Sequence, residues 1–136
     1  ENKFMESIFT KIIHGEIPSY KIAETEKFYA FLDINPLAKG HTLVIPKKET
    51  DYIFDIEDID IAEMIVFAKK VGLAIEANIP CKRIGMAVLG LEVPHAHIHL
   101  IPINTVYDID FKQDKLKLEA KEFEEISFNI RTTFGK

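Results

Sequence analysis

A single cysteine, Cys81, denies this chain an internal disulfide, so its fold rests on packing and hydrogen bonding in a reducing compartment. Only Lys82 and Arg83 flank that thiol; they form no activating cluster, and Cys81 reads as a half-buried free thiol. No apolar run reaches the roughly 18 residues of a membrane span. No basic start leads into the apolar stretch of a signal peptide. The expected location is therefore the cytoplasm, with no membrane as partner. Positive charge is also scarce: 17 Lys and Arg against 22 Asp and Glu leave a net charge of −5. Gripping a nucleic-acid backbone needs a basic face, so nucleic acid is not an expected partner. Repeats, low-complexity linkers and a Gly-x-x-x-x-Gly-Lys-Ser/Thr phosphate loop are all absent.

What remains is a chain of 136 residues, 47% hydrophobic and 29% charged, the balance of one ordinary domain over residues 1–136. Ser7 to Ile13 carries Ile8, Phe9, Ile12 and Ile13 at helical spacing, and Gly15 stops the pattern. Lys21–Ala23 and Phe28–Asp33 read as short strands around a polar turn, and Asn35–Gly40 as a loop. The apolar run Leu43–Val44–Ile45 makes His41–Pro46 a strand. Asp58 to Asn78 is the longest expected helix, with acidic residues in its first turn and Pro80 beyond its end. Ile61, Ile65, Ala68, Val71, Gly72 and Ile75 mark its predicted buried face. Arg83–Leu89 and Val93–Pro102 read as strands joined at Gly90, and Asp114–Ile126 as a charged helical tail. Helices interspersed with closely linked strands predict an α+β fold with a mainly antiparallel sheet.

Three of the five histidines, His95, His97 and His99, fall within five residues. On a strand they would share one face, roughly 6.5–7 Å apart, above an apolar face of Ala96, Ile98 and Leu100. Adjacent imidazoles suppress one another's protonation, which suits an anionic ligand. One reading is a metal site. A row spanning roughly 13 Å does not converge on one ion with nitrogens about 2.0–2.1 Å away, so a further ligand such as His41 or Glu92 would be needed. The other reading is phosphorus chemistry, in which a neutral imidazole attacks and its neighbours donate hydrogen bonds to phosphate oxygens and leaving group. It uses all three residues and requires neither metal nor cofactor.

The run His95–Ala96–His97–Ile98–His99–Leu100–Ile101 resembles the histidine-triad (HIT) family motif, three histidines alternating with apolar residues. Ser7–Ile13 with Glu16–Ile17–Pro18, Phe31–Pro36 and Gly40–Lys47 resemble further family segments in the right order, covering about residues 7 to 102. The resemblance implies a HIT-like fold of about five strands, with an N-terminal helix and a long central helix; beyond it lies the C-terminal tail, residues 103–136, that carries the expected tail helix. It implies a hydrolase or nucleotidyl transferase of the bacterial type, acting on a purine nucleotide, and a homodimer. His97 matches the nucleophile that attacks the α-phosphorus to form a nucleotidyl-imidazole. His95 and His99 match the histidines supporting phosphate and leaving group, and Asp33 the carboxylate that binds the ribose hydroxyls. Ile8, Phe9, Ile12, Phe31, Leu32 and Ile34 fall where the family packs the base, and His41 lies near the triad in related folds. One stretch departs from the pattern: Leu91 stands at the usual glutamine and Glu92 at the usual hydroxyl residue. A carboxylate there would repel an anionic substrate unless turned away, or could pair with a histidine. A nucleotide-binding sensor without catalysis is the alternative that this departure suggests.

Overall fold

A computed structural model describes residues 6–136. Alternating side chains along the strands build two different surfaces, and this decides where everything else goes. In order, the elements are α1 (Ile8–Ile13), β1 (Lys21–Glu24), β2 (Phe28–Leu32), β3 (Thr42–Pro46), α2 (Asp58–Asn78), β4 (Arg83–Ala87), β5 (Ile98–Ile103) and α3 (Ala120–Phe134). The strands form one five-stranded sheet in the order β1-β2-β3-β5-β4, every neighbouring pair antiparallel. The expected α+β class is therefore the observed one.

Phe28, Ala30 and Leu32 of β2, Val44 of β3, and Ile98 and Leu100 of β5 face α2 and α3 in one buried cluster. Tyr29, Phe31, Leu43 and Ile45 point the other way, where Phe9 and Ile12 of α1 cover part of the sheet. The rest of that second face holds the histidines. Helices thus insulate one side, and the chemistry occupies the other.

The long helix has the predicted ends but a rotated buried face. Met64, Phe67, Ala68, Val71, Gly72, Ala74 and Ile75 are buried, whereas Ile65 is 44% exposed. The cause is a second partner: α2 packs against α3 as well as the sheet, so its buried stripe widens toward Met64 and Phe67.

Three other expectations shift. The strand expected over Val93–Pro102 begins only at Ile98, because the β3–β5 ladder ends at the Val44–Ile98 pair. Upstream of it, Ala96 N–H donates instead to the Thr50 carbonyl at 2.7 Å. The strand expected over Arg83–Leu89 stops at Ala87, short of Gly90 at φ 75°. The C-terminal helix starts at Ala120 rather than near Asp114. Residues 110–118 are held as a strap, with Leu116 N–H donating to the Pro36 carbonyl at 2.8 Å and Lys115 Nζ to the Phe111 carbonyl at 2.7 Å. Those backbone groups are spent on the loop below and on bracing the strap rather than on a helix.

Helix α3 brings Phe123 and Ile130 into the core and ties Arg131 to the Lys21 carbonyl at 2.8 Å, covering the β1 edge. Gly40 turns the loop into β3 at φ 90°, and a Cβ there would sit 2.9 Å from Ile79 Cγ1, so a side chain is doubly disfavoured. No helix among the described residues is long and apolar enough to cross a membrane.

Ile130 is fully buried, and Ile130→Ala is expected to lower unfolding free energy by about 2–5 kcal/mol. A urea denaturation curve measures it; an unchanged midpoint would mean that α3 lies outside the cooperative core.

Candidate active site

Closure of the β2–β3 connection places the first pair of groups. Asp33 N–H donates to the His41 carbonyl at 2.9 Å, so these two residues extend the antiparallel pairing one step past Leu32–Thr42. Across β3, Leu43 pairs with His99. Asp33, His41 and His99 therefore converge at one end of the open face.

Backbone geometry then decides which ring nitrogens carry protons. Leu37 N–H lies 3.0 Å from His41 Nδ1, and a peptide N–H can only donate, so that nitrogen is an acceptor. The proton of His41 is consequently on Nε2, which donates to His99 Nδ1 at 2.9 Å and lies 3.6 Å from Asp33 Oδ2. His99 in turn carries its proton on Nε2. His97 is fixed from the other direction: its Nδ1 lies 2.7 Å from the His95 carbonyl, which can only accept. In the neutral ring, His97 Nε2 is then the nitrogen with the free lone pair. No hydrogen bond to Nε2 of His97 or His99 occurs among the described residues, and the two rings stand 4.9 Å apart between centroids. A nucleophilic nitrogen and a hydrogen-bond donor sit side by side.

His95 is placed elsewhere. It precedes β5, is fully buried, and spends both nitrogens on protein: Nε2 donates to the Pro46 carbonyl at 2.8 Å and Nδ1 accepts from the Ser7 hydroxyl at 2.7 Å. The shared row of three imidazoles on one strand does not form, and only His99 lies on the strand itself. His95 has no nitrogen left for a phosphate; its contribution to the site is its main-chain carbonyl.

Burial favours the neutral form of His41, His95 and His99. His41 falls from 6.5 to about 3, chiefly through burial and then through His99, Lys115 and His97. His99 falls from 6.5 to about 4 through burial, with His97 adding to it. Burial also lowers His95, against the opposing pull of the Pro46 carbonyl and Glu49. The Asp33 carboxyl moves upward, again mainly by burial, and Glu92 pushes the same way while the Asn35 N–H, His97 and Lys115 oppose it.

The expected base-packing residues separate into groups. Phe9, Ile12 and Phe31 cluster on the site face, and the Phe9 ring stands edge-on to His97 at 5.0 Å. Ile8 and Ile34 are exposed, at 49% and 64%. Leu32 faces the helices and does not line the site, because it alternates with Phe31. Glu92 is exposed and Leu91 beside it is 90% exposed. Sequence reading overlooked Phe111, whose ring lies 4.7 Å from that of His99, and Lys115, which braces the same strap. Nothing local marks either one: Phe111 lies just before the charged stretch that reads as helix from Asp114, and Lys115 lies within it. Glu49 and Thr10 were missed as well; the Ser7-x-x-Thr10 spacing at the start of α1 was the available signal.

A family model described as the HIT domain matches residues 14–106. The chain belongs to the HIT family. An uncharacterized HIT-like protein of Borreliella burgdorferi is 38% identical over 137 aligned positions, covering 90% of this chain and 94% of the relative. An adenosine 5'-monophosphoramidase of Schizosaccharomyces pombe is 36% identical over 133, covering 93% of this chain and all of that one. Among solved structures, a Hit-like protein of Bartonella henselae superposes with a TM-score of 0.82 at 29% identity, over 94% of this chain and 96% of its own. A zinc-bound histidine triad family protein of Mycobacterium smegmatis superposes with a TM-score of 0.81 at 26% identity, over 96% and 94%. The HIT fold is therefore the fold of this chain.

Metal binding can be tested on the donor set itself. Asp33, His41 and His99 each offer an atom within 4.8 Å of the others. However, the Leu37 N–H at His41 Nδ1 keeps the ring proton on Nε2, the atom a metal would need. Moving that proton to Nδ1 would set two N–H groups against each other. The cluster fits a shared proton and does not fit a metal ion.

The two neutral histidines make stability depend on pH with a definite sign. Their folded pKa values lie below the ordinary 6.5, so at intermediate pH the unfolded chain binds more protons than the folded one. Their contribution is complete above about pH 6.5 and is lost as pH falls toward about 4 and about 3. Asp33, shifted upward, acts with the opposite sign near the bottom of that window. The urea midpoint is expected to fall on acidification across this range, less steeply in His41→Gln. A midpoint flat to about pH 4 would contradict neutral buried rings.

Proposed function

We propose that this HIT protein is a purine-nucleotide hydrolase or nucleotidyl transferase working through a covalent nucleotidyl-histidine at His97. One observation carries the reading: His97 Nδ1 is committed to the His95 carbonyl at 2.7 Å, which in the neutral ring leaves Nε2 as the nucleophilic nitrogen. That nitrogen would attack the α-phosphorus as the bond from phosphorus to the leaving group breaks, the leaving group keeping the electron pair and taking a proton from solvent. Water would then attack the same phosphorus, cleave its bond to Nε2, and release the nucleoside monophosphate and free His97.

The neighbouring groups support this route. His99 Nε2–H would donate to an α-phosphate oxygen, polarised through the chain from Leu37 N–H to His41 to His99. Because His99 stays neutral, it lends a hydrogen bond rather than a proton. Asp33 would hold the ribose hydroxyls. Ile8, Phe9, Ile12 and Phe31 would receive the base, the exposed Ile8 offering the accessible edge. Relatives named adenosine 5'-monophosphoramidase favour a phosphoramidate among the candidate substrates. Exposure of Glu92 keeps its carboxylate solvated, which weakens the repulsion it would exert on an anion.

The reading includes a homodimer. Among the described residues no strand pairs with the outer edge of β4, whereas Arg131 of α3 bonds to the β1 edge. Beside it, a groove of about 470 Å³ is lined by Gly72, Leu73, Arg83, Ile84 and Met86, with Leu73 57% and Met86 47% exposed. An open edge flanked by apolar side chains fits a second copy continuing the sheet.

Two measurements test these statements. His97→Ala is expected to abolish release of AMP from adenosine 5'-phosphoramidate while AMP still binds, and wild-type protein quenched during turnover should show a nucleotidyl mass adduct. An unchanged rate in His97→Ala would overturn the mechanism, and AMP binding by a wild type that never turns over would favour a sensor. For the dimer, Leu73→Glu is expected to shift light-scattering mass from two chains toward one. A wild type that is monomeric at every concentration would remove this part of the reading.

A further inference from the structure

The His95 carbonyl can orient His97 only if His95 is itself held in place. The answer begins in the short segment after β3. Pro46 supplies its carbonyl to His95 Nε2 at 2.8 Å, and Thr50 supplies its carbonyl to Ala96 N–H at 2.7 Å. Between them, Glu49 Oε1 accepts from Ser7 N–H at 2.9 Å and from the Thr10 hydroxyl at 2.5 Å. Three residues of one five-residue segment, Pro46, Glu49 and Thr50, therefore touch the His95–Ala96 peptide or the helix turn packed against it.

The shortest contacts in this network set the donors, since Ser7 Oγ stands 3.3 Å from Thr10 Oγ1 but only 2.7 Å from His95 Nδ1. Thr10 gives its single hydroxyl proton to the Glu49 carboxylate, which can only accept. Thr10 N–H occupies the Ser7 oxygen at 3.0 Å. The Ser7 proton is then free for His95 Nδ1, at 2.7 Å, whereas Thr10 Oγ1 stands 3.4 Å from the same nitrogen with no proton to offer. His95 is thereby gripped on both edges, and its carbonyl is presented to His97 Nδ1 at 2.7 Å. Phe9, from the same helix turn, stands edge-on to both rings, at 5.7 Å from His95 and 5.0 Å from His97.

We propose that Glu49 is a positioning residue for the nucleophile: through Ser7 and Thr10 it locks His95, and through the His95 carbonyl it keeps His97 as the Nδ1–H tautomer with Nε2 bare. This inference rests on the reading of His97 above and deepens it. Glu49 touches neither the substrate nor the reacting nitrogen. It acts by removing the alternative placements of a ring two links away, as the third member of a nucleophile–base–orienter set does. Its side chain lies at the protein surface, so it is reached from solvent without opening the core.

Glu49→Ala, the conservative Glu49→Gln and Ser7→Ala test it, each read by steady-state kinetics on adenosine 5'-phosphoramidate and by ring-nitrogen NMR of the histidines. Glu49→Ala and Ser7→Ala are expected to lower kcat by about 10–100-fold with KM within about twofold, and to turn the single Nδ1–H tautomer of His97 into a mixture. Glu49→Gln keeps an oxygen acceptor for both donors and is expected to recover most of the loss. Unchanged kcat and an unchanged His97 tautomer in Glu49→Ala would overturn the proposal, as would a change confined to KM. The NMR readout needs no turnover. If wild-type protein proves inactive, the tautomer result still decides the role of Glu49, and the failure belongs to the hydrolase reading alone.

Discussion

A peptide carbonyl can only accept a hydrogen bond and a peptide N–H can only donate one, and this asymmetry organises the whole site. Three main-chain groups, the carbonyls of His95 and Pro46 and the N–H of Leu37, each face a ring nitrogen at 2.7–3.0 Å. Together they assign a proton to one nitrogen on His95, His97, His41 and, by relay, His99. No side-chain charge is needed for this assignment. The result is a bare nitrogen on His97 next to an N–H on His99, the pairing that nucleophilic attack on phosphorus requires.

Such an arrangement survives only where water cannot offer competing partners, and the sheet supplies that shelter. Its helix-covered face contains Ile98 and Leu100, the residues on either side of His99, both essentially fully buried. A chain that packs Ile98 and Leu100 downward has no choice but to point His99 upward. Helix α1 and the strap at residues 110–118 close the sides, with Phe9 against His97 and Phe111 against His99. Burial also sets the electrostatics: His41 and His99 stay neutral, so the site presents oriented N–H dipoles instead of imidazolium charge, which is what the proposed phosphate ligand would meet. An acidic protein with a net charge of −5 can thus hold an anion through local hydrogen bonds.

Much of the fold was legible in the chain because its signals are local. The bounds of α2 follow from the acidic first turn and from Pro80, and they agree with the structure to the residue. Strands β2 and β3 announce themselves as short apolar runs between turn residues. Two of the shifts share a reason, a distant partner outbidding local propensity. Ile65 left the buried face because α3 claims the adjacent side of α2. The stretch from Asp114 remained unwound because Leu116 bonds to Pro36 and Lys115 to its own turn.

The same division runs through the site. The sequence by itself determined the chemistry available: three closely spaced histidines, Asp33 and His41 within reach of a turn, and a family resemblance that singles out His97. Only the tertiary structure decided what each ring does. His95 was expected beside the phosphate and instead is a buried brace, because its partners are Ser7 and Pro46, 88 and 49 positions away along the chain. The partner of His99, His41, lies 58 positions away. Tautomers are set by whichever donor or acceptor stands opposite a nitrogen in space, and no spacing within one strand encodes a group that arrives from the far end of the chain.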